Sequence, residues 1–251
     1  MTLSIIIPVL NDAAGLQVLL EDLGKAAQPD LHVEIVVVDG GSSDASVTVA
    51  NRAATRVVRT SPGRGQQLAA GVAASTGDVI WFLHADSRVP AEALRLVATT
   101  SAPWGRLRLR FQPDSPGLRM VATCMHWRSR LSGICTGDQG MWVRRSVLTC
   151  VGGVPTQPLM EDIELSRRLK RVGRPCVLPA TLTTSPRRWQ RDGLWRTIVS
   201  MWWFRLRYFF GAEPGDLAVA YRRPRRPAAG GDPAAARERG VNTEHDDGGC
   251  P

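Results

Sequence analysis

The chain has 251 residues, of which 43% are apolar, and it carries a formal net charge of +9. This length and apolar content can bury one substantial core, so we expect one domain with extensions. The five cysteines form no C-x-x-C pair and show no zinc-ligand spacing with histidine, which favours reduced thiols over disulfides or a zinc site.

The start of the chain lacks the features of a targeting segment. Residues 1–8 carry no basic n-region, and Pro8 interrupts their apolar run. No window of the sequence reaches the ~18 to 20 nearly charge-free apolar residues that a membrane span requires. We therefore expect a cytoplasmic protein that is either soluble or peripherally bound at the inner face of the cell membrane.

Basic residues concentrate near the C-terminal end of the predicted domain. Residues 187–226 contain ten arginines against Asp192, Glu213 and Asp216. This excess favours an anionic surface or ligand near that segment, and a solvated basic face without a partner is the alternative. We expect no nucleic-acid partner.

The first half of the chain alternates apolar strands with helices. Predicted strands span residues 3–9, 33–38, 55–59 and 79–83, and the predicted helices between them span about 12–25, 44–53 and 66–75. The uninterrupted apolar run from Val79 to Leu83 is typical of a strand covered by helices on both faces. This order predicts an α/β fold with a doubly wound, mainly parallel sheet.

Asp86 follows the last of these strands, and its position favours a ligand contact. Ligands bind outside the carboxyl ends of the strands in such sheets. One carboxylate can hold a divalent cation when a diphosphate supplies further oxygens, so a diphosphate-bearing substrate is the first hypothesis. The alternative, equally supported by this stretch, is that Asp86 only caps a helix that starts near Pro90.

Asp39 and Arg64 are expected at the same crevice. Asp39 ends the second strand, and Gly40 and Gly41 after it permit positive φ and close approach of a ligand. A nicotinamide-binding domain would need G-x-G-x-x-G after its first strand, where this chain has Pro8-Val-Leu-Asn-Asp12, and no G-x-x-x-x-G-K-[ST] occurs. The two common nucleotide-binding folds are therefore disfavoured.

Four motifs occur in order along the first half: Ser4 to Asp12, Val36 to Asp44, Gly63 to Gln67, and Gly77 to Asp86. Each is weak alone, but the four at this spacing resemble the nucleotide-sugar half of family 2 glycosyltransferases with the GT-A fold. The match is closest to small bacterial members without membrane spans. The resemblance implies a nucleotide-sugar donor and a divalent cation, Mn²⁺ or Mg²⁺.

The resemblance also implies nucleotide-sugar contacts for residues of these motifs. Asp39 would bind the base, usually uracil, with Pro8 and Asp12 nearby, and Arg64 would lie close to the base or the diphosphate. Asp86 would be the metal-binding member of the family's D-x-D signature.

His84 departs from that signature, because it occupies the position of the first aspartate. That aspartate usually contacts ribose in the family, so the change affects the expected sugar-nucleotide contact more than the metal. A neutral imidazole can donate to a ribose hydroxyl or act as an additional ligand. A histidine packed at a strand end is the alternative.

The second half opens with a predicted strand, residues 104–111, that has one solvent-facing side. A predicted helix over residues 116–130 carries Met120, Cys124 and Trp127 on one stripe, which we expect to pack in the core.

Acidic residues open a further helix that begins near Pro158. Glu161, Asp162 and Glu164 fall in its first turn, where the helix dipole stabilises negative charge. The segment resembles the family's Glu-Asp motif, which implies that Asp162 is the catalytic base of an inverting enzyme, with Glu161 beside it. We expect Glu161 and Glu164 to raise the pKa of Asp162 through like-charge repulsion.

Two shorter segments resemble acceptor-side elements of the family. Residues 136–139 are similar to its acceptor loop, which makes Asp138 and Gln139 candidate acceptor contacts. Arg188 and Trp189 partly match its Arg-Trp element, so Arg188 would meet the diphosphate and Trp189 would stack on a sugar ring. A basic surface loop is the alternative for this segment.

A predicted helix over residues 194–210 is rich in aromatic residues. Arg196, Ser200 and Arg207 share one narrow sector of it, and most of the remaining circumference is apolar. Such a helix can lie in a bilayer interface, so peripheral membrane contact through residues 187–211 is one hypothesis. Packing against the catalytic domain or a second subunit is the commoner outcome for a soluble enzyme, and we favour it here.

These observations predict a single GT-A catalytic domain over residues 1–221, followed by a disordered tail over 222–251. The domain comprises a nucleotide-sugar half (1–101), an acceptor half (102–192) and the aromatic, basic helix (193–211). We expect an inverting transfer from a nucleotide sugar, UDP-linked in most of the family, to an acceptor hydroxyl. The aromatic helix makes a lipid or carotenoid-like acceptor one hypothesis, and small polar acceptors are the alternative. A non-catalytic nucleotide-sugar-binding or membrane-surface adaptor with the same fold is the alternative.

Overall fold

The computed structural model describes residues 1–222, in which helices flank a mixed sheet of eight strands. The strands are β1 (Thr2–Val9), β2 (His32–Asp39), β3 (Arg56–Arg59), β4 (Val79–Phe82), β5 (Ser87–Arg88), β6 (Trp104–Phe111), β7 (Trp142–Arg144) and β8 (Cys176–Thr184). The helices are α1 (Ala13–Ala26), α2 (Ser46–Ala53), α3 (Arg64–Ala73), α4 (Ala91–Thr99), α5 (Pro116–Ser132), α6 (Arg145–Cys150), α7 (Glu161–Leu169), α8 (Arg187–Asp192), α9 (Leu194–Phe209) and α10 (Pro214–Arg222), and a 3-10 turn spans Gly137–Gln139. The predicted tail lies outside the described residues, except that Arg222 ends α10.

The strand order across the sheet is β3-β2-β1-β4-β7-β6-β8-β5. The first four strands in this order are parallel, as the sequence predicts. β7 is antiparallel to both β4 and β6, and β8 is parallel to β6, so β7 joins the second half of the chain to the first. The α/β fold class predicted from the sequence is confirmed.

The parallel strands are buried because helices cover both faces of the sheet. Ile5 and Ile7 of β1 belong to one apolar core, to which α1 and α4 contribute. Ile6, which points to the opposite face, belongs to a second core with residues of α3, α6 and α7. This double coverage explains why the strands read as continuous apolar runs rather than as alternating ones.

The prediction for the stripe of α5 is wrong. Met120 is 41% exposed, Trp127 is 53% exposed, and Cys124 is also exposed. The helix carries a second apolar stripe on its opposite side, and that stripe packs against Phe111 and Trp189. The buried members of α5 are Leu118, Val121, Met125 and Ser129. Only one of two opposed stripes can face the sheet, and periodicity alone does not decide which.

Helix α9 does not pack its aromatic side against the catalytic domain, one of the two arrangements favoured from its sequence, and packing against a second subunit stays a prediction. Its buried residues are Thr197, Ser200 and Phe204, whereas most of its aromatic residues face outward. The helix therefore turns its most apolar side away from the rest of the described chain. Among residues 1–222, no helix combines the length and the apolar character needed to cross a membrane.

Candidate active site

A cavity of about 770 Å³ opens at the carboxyl ends of the parallel strands. Its wall combines residues of the loop after β4, the first turn of α3, the 3-10 turn and the start of α7, and α8 to α10 close another side. The sequence-predicted residues in this wall are Arg64, His84, Asp86, Asp138, Glu161, Asp162, Arg188 and Trp189. Segments distant in sequence therefore meet at one place.

Arg64 connects three of these segments. One guanidinium nitrogen lies 3.1 Å from Glu161 Oε1, and another lies 2.7 Å from His84 Nε2. Its Nε atom is buried and finds no hydrogen-bond acceptor among residues 1–222. A Cβ atom on Gly137 would lie 1.6 Å from the Arg64 guanidinium, so glycine is needed there for this close approach. Arg64 is the first residue of α3, whereas the sequence predicted that this helix would begin at residue 66.

His84 is neutral in this arrangement. Burial and the adjacent Arg64 guanidinium lower the pKa of His84 to about 3. Since arginine can only donate, His84 Nε2 accepts the hydrogen bond and the ring proton resides on Nδ1. Asp138 Oδ1 lies 3.4 Å from the same Nε2 atom, but a neutral imidazole forms no ion pair with it. His84 thus fixes Arg64 in place and retains one N–H donor.

Asp162 is held at the junction of α7 and the 3-10 turn. Its Oδ2 atom accepts the backbone N–H of Gly137 at 3.0 Å, and its Oδ1 atom accepts that of Ile163 at 2.8 Å. Met160, directly before α7, has a left-handed backbone with φ of 64°. This conformation costs free energy for a residue that is not glycine, and such strain often occurs at functional sites.

The two glutamates near Asp162 are neutralised by arginines. Burial raises the pKa of Glu161, and the Arg64 guanidinium opposes that rise. Glu164 pairs with Arg167 at 2.8 Å and Arg168 at 3.0 Å; burial works against ionisation, yet these hydrogen bonds lower its pKa. Each glutamate therefore has a cationic partner, and the expected effect of the two on Asp162 stays a prediction.

Asp86 lies within electrostatic reach of two other carboxylates, those of Asp138 and Asp12. Its Oδ1 atom accepts a hydrogen bond from the Thr184 hydroxyl at 3.4 Å. Burial, Asp138 and Asp12 raise the pKa of Asp86, and Arg187 opposes them. Within residues 1–222, no three His, Cys, Asp or Glu side chains are grouped so that they could hold a metal ion alone. The oxygens present fit Mg²⁺ or Mn²⁺ only if a diphosphate supplies the remaining ligands.

Four predicted contacts lie outside the set of residues that line the cavity. Asp39 is only 2% exposed, and its carboxylate accepts the backbone N–H groups of Gly41 and Ser42 at 3.1 Å. Pro8 lies on the neighbouring strand β1. Asp12 caps α1 and forms an ion pair with Arg187 at 2.9 Å.

Gln139 is the fourth of these contacts, and it is fully buried behind the cavity. Its side-chain oxygen accepts the backbone N–H of Thr136 at 3.1 Å, and its amide nitrogen donates to the Ser129 hydroxyl at 3.2 Å. These bonds close the turn that carries Asp138 and anchor it to α5. Gln139 therefore shapes the turn that carries Asp138 without facing the cavity.

Arg188 and Trp189 have different surroundings. Trp189 is 9% exposed and packs edge-to-face on Phe111, with ring centroids 5.8 Å apart. The Arg188 guanidinium lies 4.5 Å from the centre of the Tyr221 ring and contacts its hydroxyl. Trp189 is therefore mainly a packing residue at the cavity wall, and Arg188 holds α10 against α8.

The sequence did not assign a role to Gln67, which the structure places at the base of the cavity. Its amide donates to the carbonyl of Val9 at 2.9 Å and to that of Val38 at 2.8 Å, so it joins the carboxyl ends of β1 and β2. Its place at the end of the third motif was the available signal. Thr184 and Tyr221 carried no comparable signal, because they come from segments without a recognised motif.

The first half of the chain resembles a known protein family. Residues 4–100 match the family model described as glycosyl transferase family 2. The nucleotide-sugar half of the chain is therefore similar to family 2 glycosyltransferases. The match covers the four motifs of the first half and ends before β6.

Curated relatives extend the similarity beyond that segment. The undecaprenyl-phosphate 4-deoxy-4-formamido-L-arabinose transferase of Pseudomonas syringae pv. syringae is 32% identical over 155 residues, which are 56% of this chain and 46% of that protein. The beta-monoglucosyldiacylglycerol synthase of Synechocystis sp. is 25% identical over 215 residues, 74% of this chain and 45% of that protein. The chain spans about half the length of the curated relatives it matches.

Solved structures share the fold. Mannosyltransferase PcManGT from Pyrobaculum calidifontis, in complex with GDP-Man and Mn²⁺, has a TM-score of 0.61 at 21% identity and covers 90% of this chain and 65% of its own. S. aureus TarS has a TM-score of 0.60 at 17% identity, and the match covers 74% of this chain and 61% of the TarS chain. The GT-A fold expected from the sequence is therefore confirmed.

Proposed function

We propose that this protein is an inverting glycosyltransferase that moves a sugar from a nucleoside-diphosphate sugar to an acceptor hydroxyl. The observation that carries the proposal is that Arg64, Asp86 and Asp162, from three separate motifs, line one cavity. The family match over residues 4–100 supports the donor class. UDP is the proposed nucleotide, because complexes with UDP are known for S. aureus TarS and for the glucosyl-3-phosphoglycerate synthase of Mycobacterium tuberculosis.

Asp162 is the proposed catalytic base. In its ionised form it takes the proton of the acceptor hydroxyl while that oxygen attacks the anomeric carbon opposite the leaving diphosphate. Two backbone N–H groups hold its carboxylate in a fixed orientation, so little reorganisation is needed when the acceptor binds. Glu161 contributes by holding Arg64 rather than by taking a proton.

The donor is held by residues on the opposite side of the cavity. Arg64 stays charged beside Glu161, and the part of its guanidinium that is exposed in the cavity is proposed to donate to donor oxygens. Arg188, which also lines the cavity, is proposed to contact the diphosphate. His84 offers its Nδ1–H to a ribose hydroxyl. The nucleobase of the donor is proposed to bind at Asp39, with Pro8 and Asp12 nearby. It would reach this position through the loop that follows β2.

Asp86 is the proposed cation ligand, together with oxygens of the diphosphate. A bound Mg²⁺ or Mn²⁺ would offset the negative charge that develops on the leaving diphosphate. On the acceptor side, Asp138 can accept a hydrogen bond from a sugar or alcohol group, and Gln139 keeps its loop in position. Trp189 contributes apolar wall.

The acceptor is proposed to be the hydroxyl of an amphipathic, lipid-like molecule. The cavity wall formed by α9 and α10 presents Met201, Phe204 and Tyr221, which can lie against an apolar chain. Two relatives are named for lipids, one for undecaprenyl phosphate and the other for monoglucosyldiacylglycerol, which supports this class.

The test compares Asp162→Asn with the wild type in a nucleotide-release assay, using a panel of UDP-sugars with Mn²⁺. Because asparagine keeps an acceptor for the Gly137 N–H but cannot take a proton, turnover should fall by about 10² to 10⁴-fold, while donor affinity in calorimetry stays within about twofold. Near wild-type turnover with bound donor would remove Asp162 from its proposed role.

Asp86→Ala tests the cation site in the same experiment. Donor binding should lose its dependence on Mn²⁺, and thermal stabilisation by Mn²⁺ plus UDP-sugar should disappear. Glu213→Gln, an exposed acid outside the cavity, is the matched control and should behave as the wild type. A protein that binds UDP-sugars but never releases the nucleotide, even to water, would be a binding module rather than a transferase.

A further inference from the structure

Helix α9 carries a continuous apolar stripe on its outer side. Five residues of α9, and Phe210 directly after it, are more than half exposed: Trp195, Val199, Trp202, Trp203, Phe209 and Phe210. At 100° per residue these six positions and Leu206 between them fall within a sector of about 120°. The outer stripe is therefore one surface that runs along four turns, not a scatter of exposed residues.

The opposite side of α9 is polar and buried. Thr197 and Ser200 face the protein, and the Thr197 hydroxyl donates to the carbonyl of Gly193 at 2.7 Å. Phe204, between them on the helical wheel, packs against Tyr221. The arrangement is the inverse of a soluble amphipathic helix, which would turn its aromatic residues to the core.

Arginines border the stripe on both sides. On the helical wheel, Arg196 and Arg207 lie at one edge and Arg205 lies at the other. Helix α9 contains no acidic residue, and Arg196 is exposed. Aromatic rings flanked by cations of one sign are complementary to a surface that is apolar inside and anionic outside.

Two other occupants of the stripe are less compatible with these charges and with the sequence. A second copy of the chain, related by a twofold axis, would bring the arginines of two α9 helices together with no acidic residue of α9 to pair with them. The chain beyond the described residues, 223–251, contains no Phe, Trp or Tyr and only one large aliphatic residue, Val241. It offers little apolar surface with which to cover the stripe.

We propose that the outer stripe of α9 docks on the surface of an anionic phospholipid bilayer. The Trp and Phe rings enter the boundary between headgroups and acyl chains, and Arg196 and Arg207 lie among the phosphates. The inner side of the same helix contributes Met201, Phe204 and Arg205 to the cavity wall, so docking brings the cavity to the membrane surface. Docking of this surface does not depend on the proposed sugar transfer.

The experiment is co-sedimentation of the full chain with phosphatidylcholine vesicles, with and without phosphatidylglycerol. Binding should require the anionic lipid and weaken as salt is added. The double variant W202S/F209S should bind about a hundredfold more weakly, from a loss of about tenfold for each aromatic ring. V172S changes an exposed apolar residue elsewhere and should leave binding unchanged.

A charge series separates the two contributions. The double variant R196Q/R207Q should bind anionic vesicles roughly tenfold more weakly, whereas R52Q, an exposed arginine of α2, should have no effect. All variants should keep wild-type nucleotide release in the absence of vesicles, so that failure of docking and failure of the proposed transfer are read separately.

Three results would overturn the proposal. One is equal binding of the wild type and W202S/F209S to anionic vesicles. Another is a dimer, seen by sedimentation, that W202S dissolves while vesicle binding is absent. The third is vesicle binding that appears only after removal of residues 223–251, which would mean that the C-terminal segment covers the stripe.

Discussion

Helices α1 and α9 carry similar apolar stripes but use them in opposite ways. Leu16, Leu19 and Leu23 of α1 are buried against the parallel sheet. Trp202 and Phe209 of α9 point away from the protein. The difference arises from what lies beneath each helix: α1 covers a fully apolar sheet face, whereas the inner side of α9 borders the cavity. A helical period therefore identifies a stripe, and the rest of the fold decides whether it becomes core or surface.

The largest expected effect is a difference in the free energy of unfolding between substitutions in the two stripes. Leu19→Ala should lower the free energy of unfolding by about 2 to 5 kcal/mol, because it removes fully buried atoms and leaves a cavity. Phe209→Ala should change it by less than about 0.5 kcal/mol, since the ring is 82% exposed. Urea unfolding of both variants, without lipid, measures the contrast.

Equal losses in the two variants would contradict the comparison. Such a result would mean that the stripe of α9 is covered in solution. Repeating the unfolding at several protein concentrations would then show whether a second copy covers it, because only that arrangement makes the stability depend on concentration.

The structure of the first half could be predicted from the sequence because its buried elements have simple apolar patterns. Strands covered on both faces read as unbroken apolar runs, and the helices between them have only one apolar side. In the second half, α5 has two opposed apolar stripes, so the choice of Met120, Cys124 and Trp127 as core was wrong. The short edge strand β5 was not predicted, because two residues paired to β8 leave no periodic pattern.

The residues of the site could be chosen from motifs, but their pairing could not. The sequence placed Asp39, Asp86 and Asp162 in one pocket with Arg64 nearby. Arg64, Asp86 and Asp162 line one cavity, whereas Asp39 lies outside its lining. Arg64 contacts both Glu161 and His84, and these contacts depend on distances between segments far apart in the chain. Periodicity contains no information on such contacts, and the same applies to the arginine partners of Glu164.

A second test concerns how closely the helices of the first half approach the sheet. In α3, a Cβ atom on Gly71 would lie 2.4 Å from Ile6 Cγ2 and 2.9 Å from Val38 Cγ2, both in buried side chains. Gly71→Ala should therefore cost roughly 1 to 3 kcal/mol through overpacking. Thermal unfolding followed by circular dichroism would detect the loss.

The matched variant is Gly24→Ala in α1, where a Cβ atom would meet nothing within 4 Å. This substitution should stabilise the protein by about 0.5 to 1 kcal/mol, because alanine has the higher helix propensity. Opposite signs for the two variants would support the close contact of α3 with the sheet. A gain in both would show that α3 has room to move outward.

The smallest expected effect lies at the other end of the same parallel strands, opposite the cavity. Glu34 is 8% exposed, and its Oε2 atom accepts the Ser4 hydroxyl at 2.7 Å and the Thr76 backbone N–H at 2.8 Å. Burial alone would raise the pKa of Glu34, but these hydrogen bonds and the Arg56 charge lower it below its ordinary value of 4.5. Here a buried carboxylate is fully engaged by the fold, in contrast to Asp86 at the cavity.

The sign of the resulting pH dependence follows from linkage. Because the pKa of Glu34 is lower in the folded state than in the unfolded chain, ionised Glu34 stabilises the fold above pH 4.5, and that stabilisation is lost as the pH falls through the folded-state pKa. Glu34→Gln should therefore cost roughly 1 kcal/mol at neutral pH, and its difference from the wild type should shrink on acidification below pH 4.5. Urea unfolding across this range measures the difference, with the exposed Glu92→Gln as control. If the stability difference between Glu34→Gln and the wild type stays constant with pH, the ionisation of Glu34 does not contribute to stability. The strand ends opposite the cavity would then be held by packing rather than by this carboxylate.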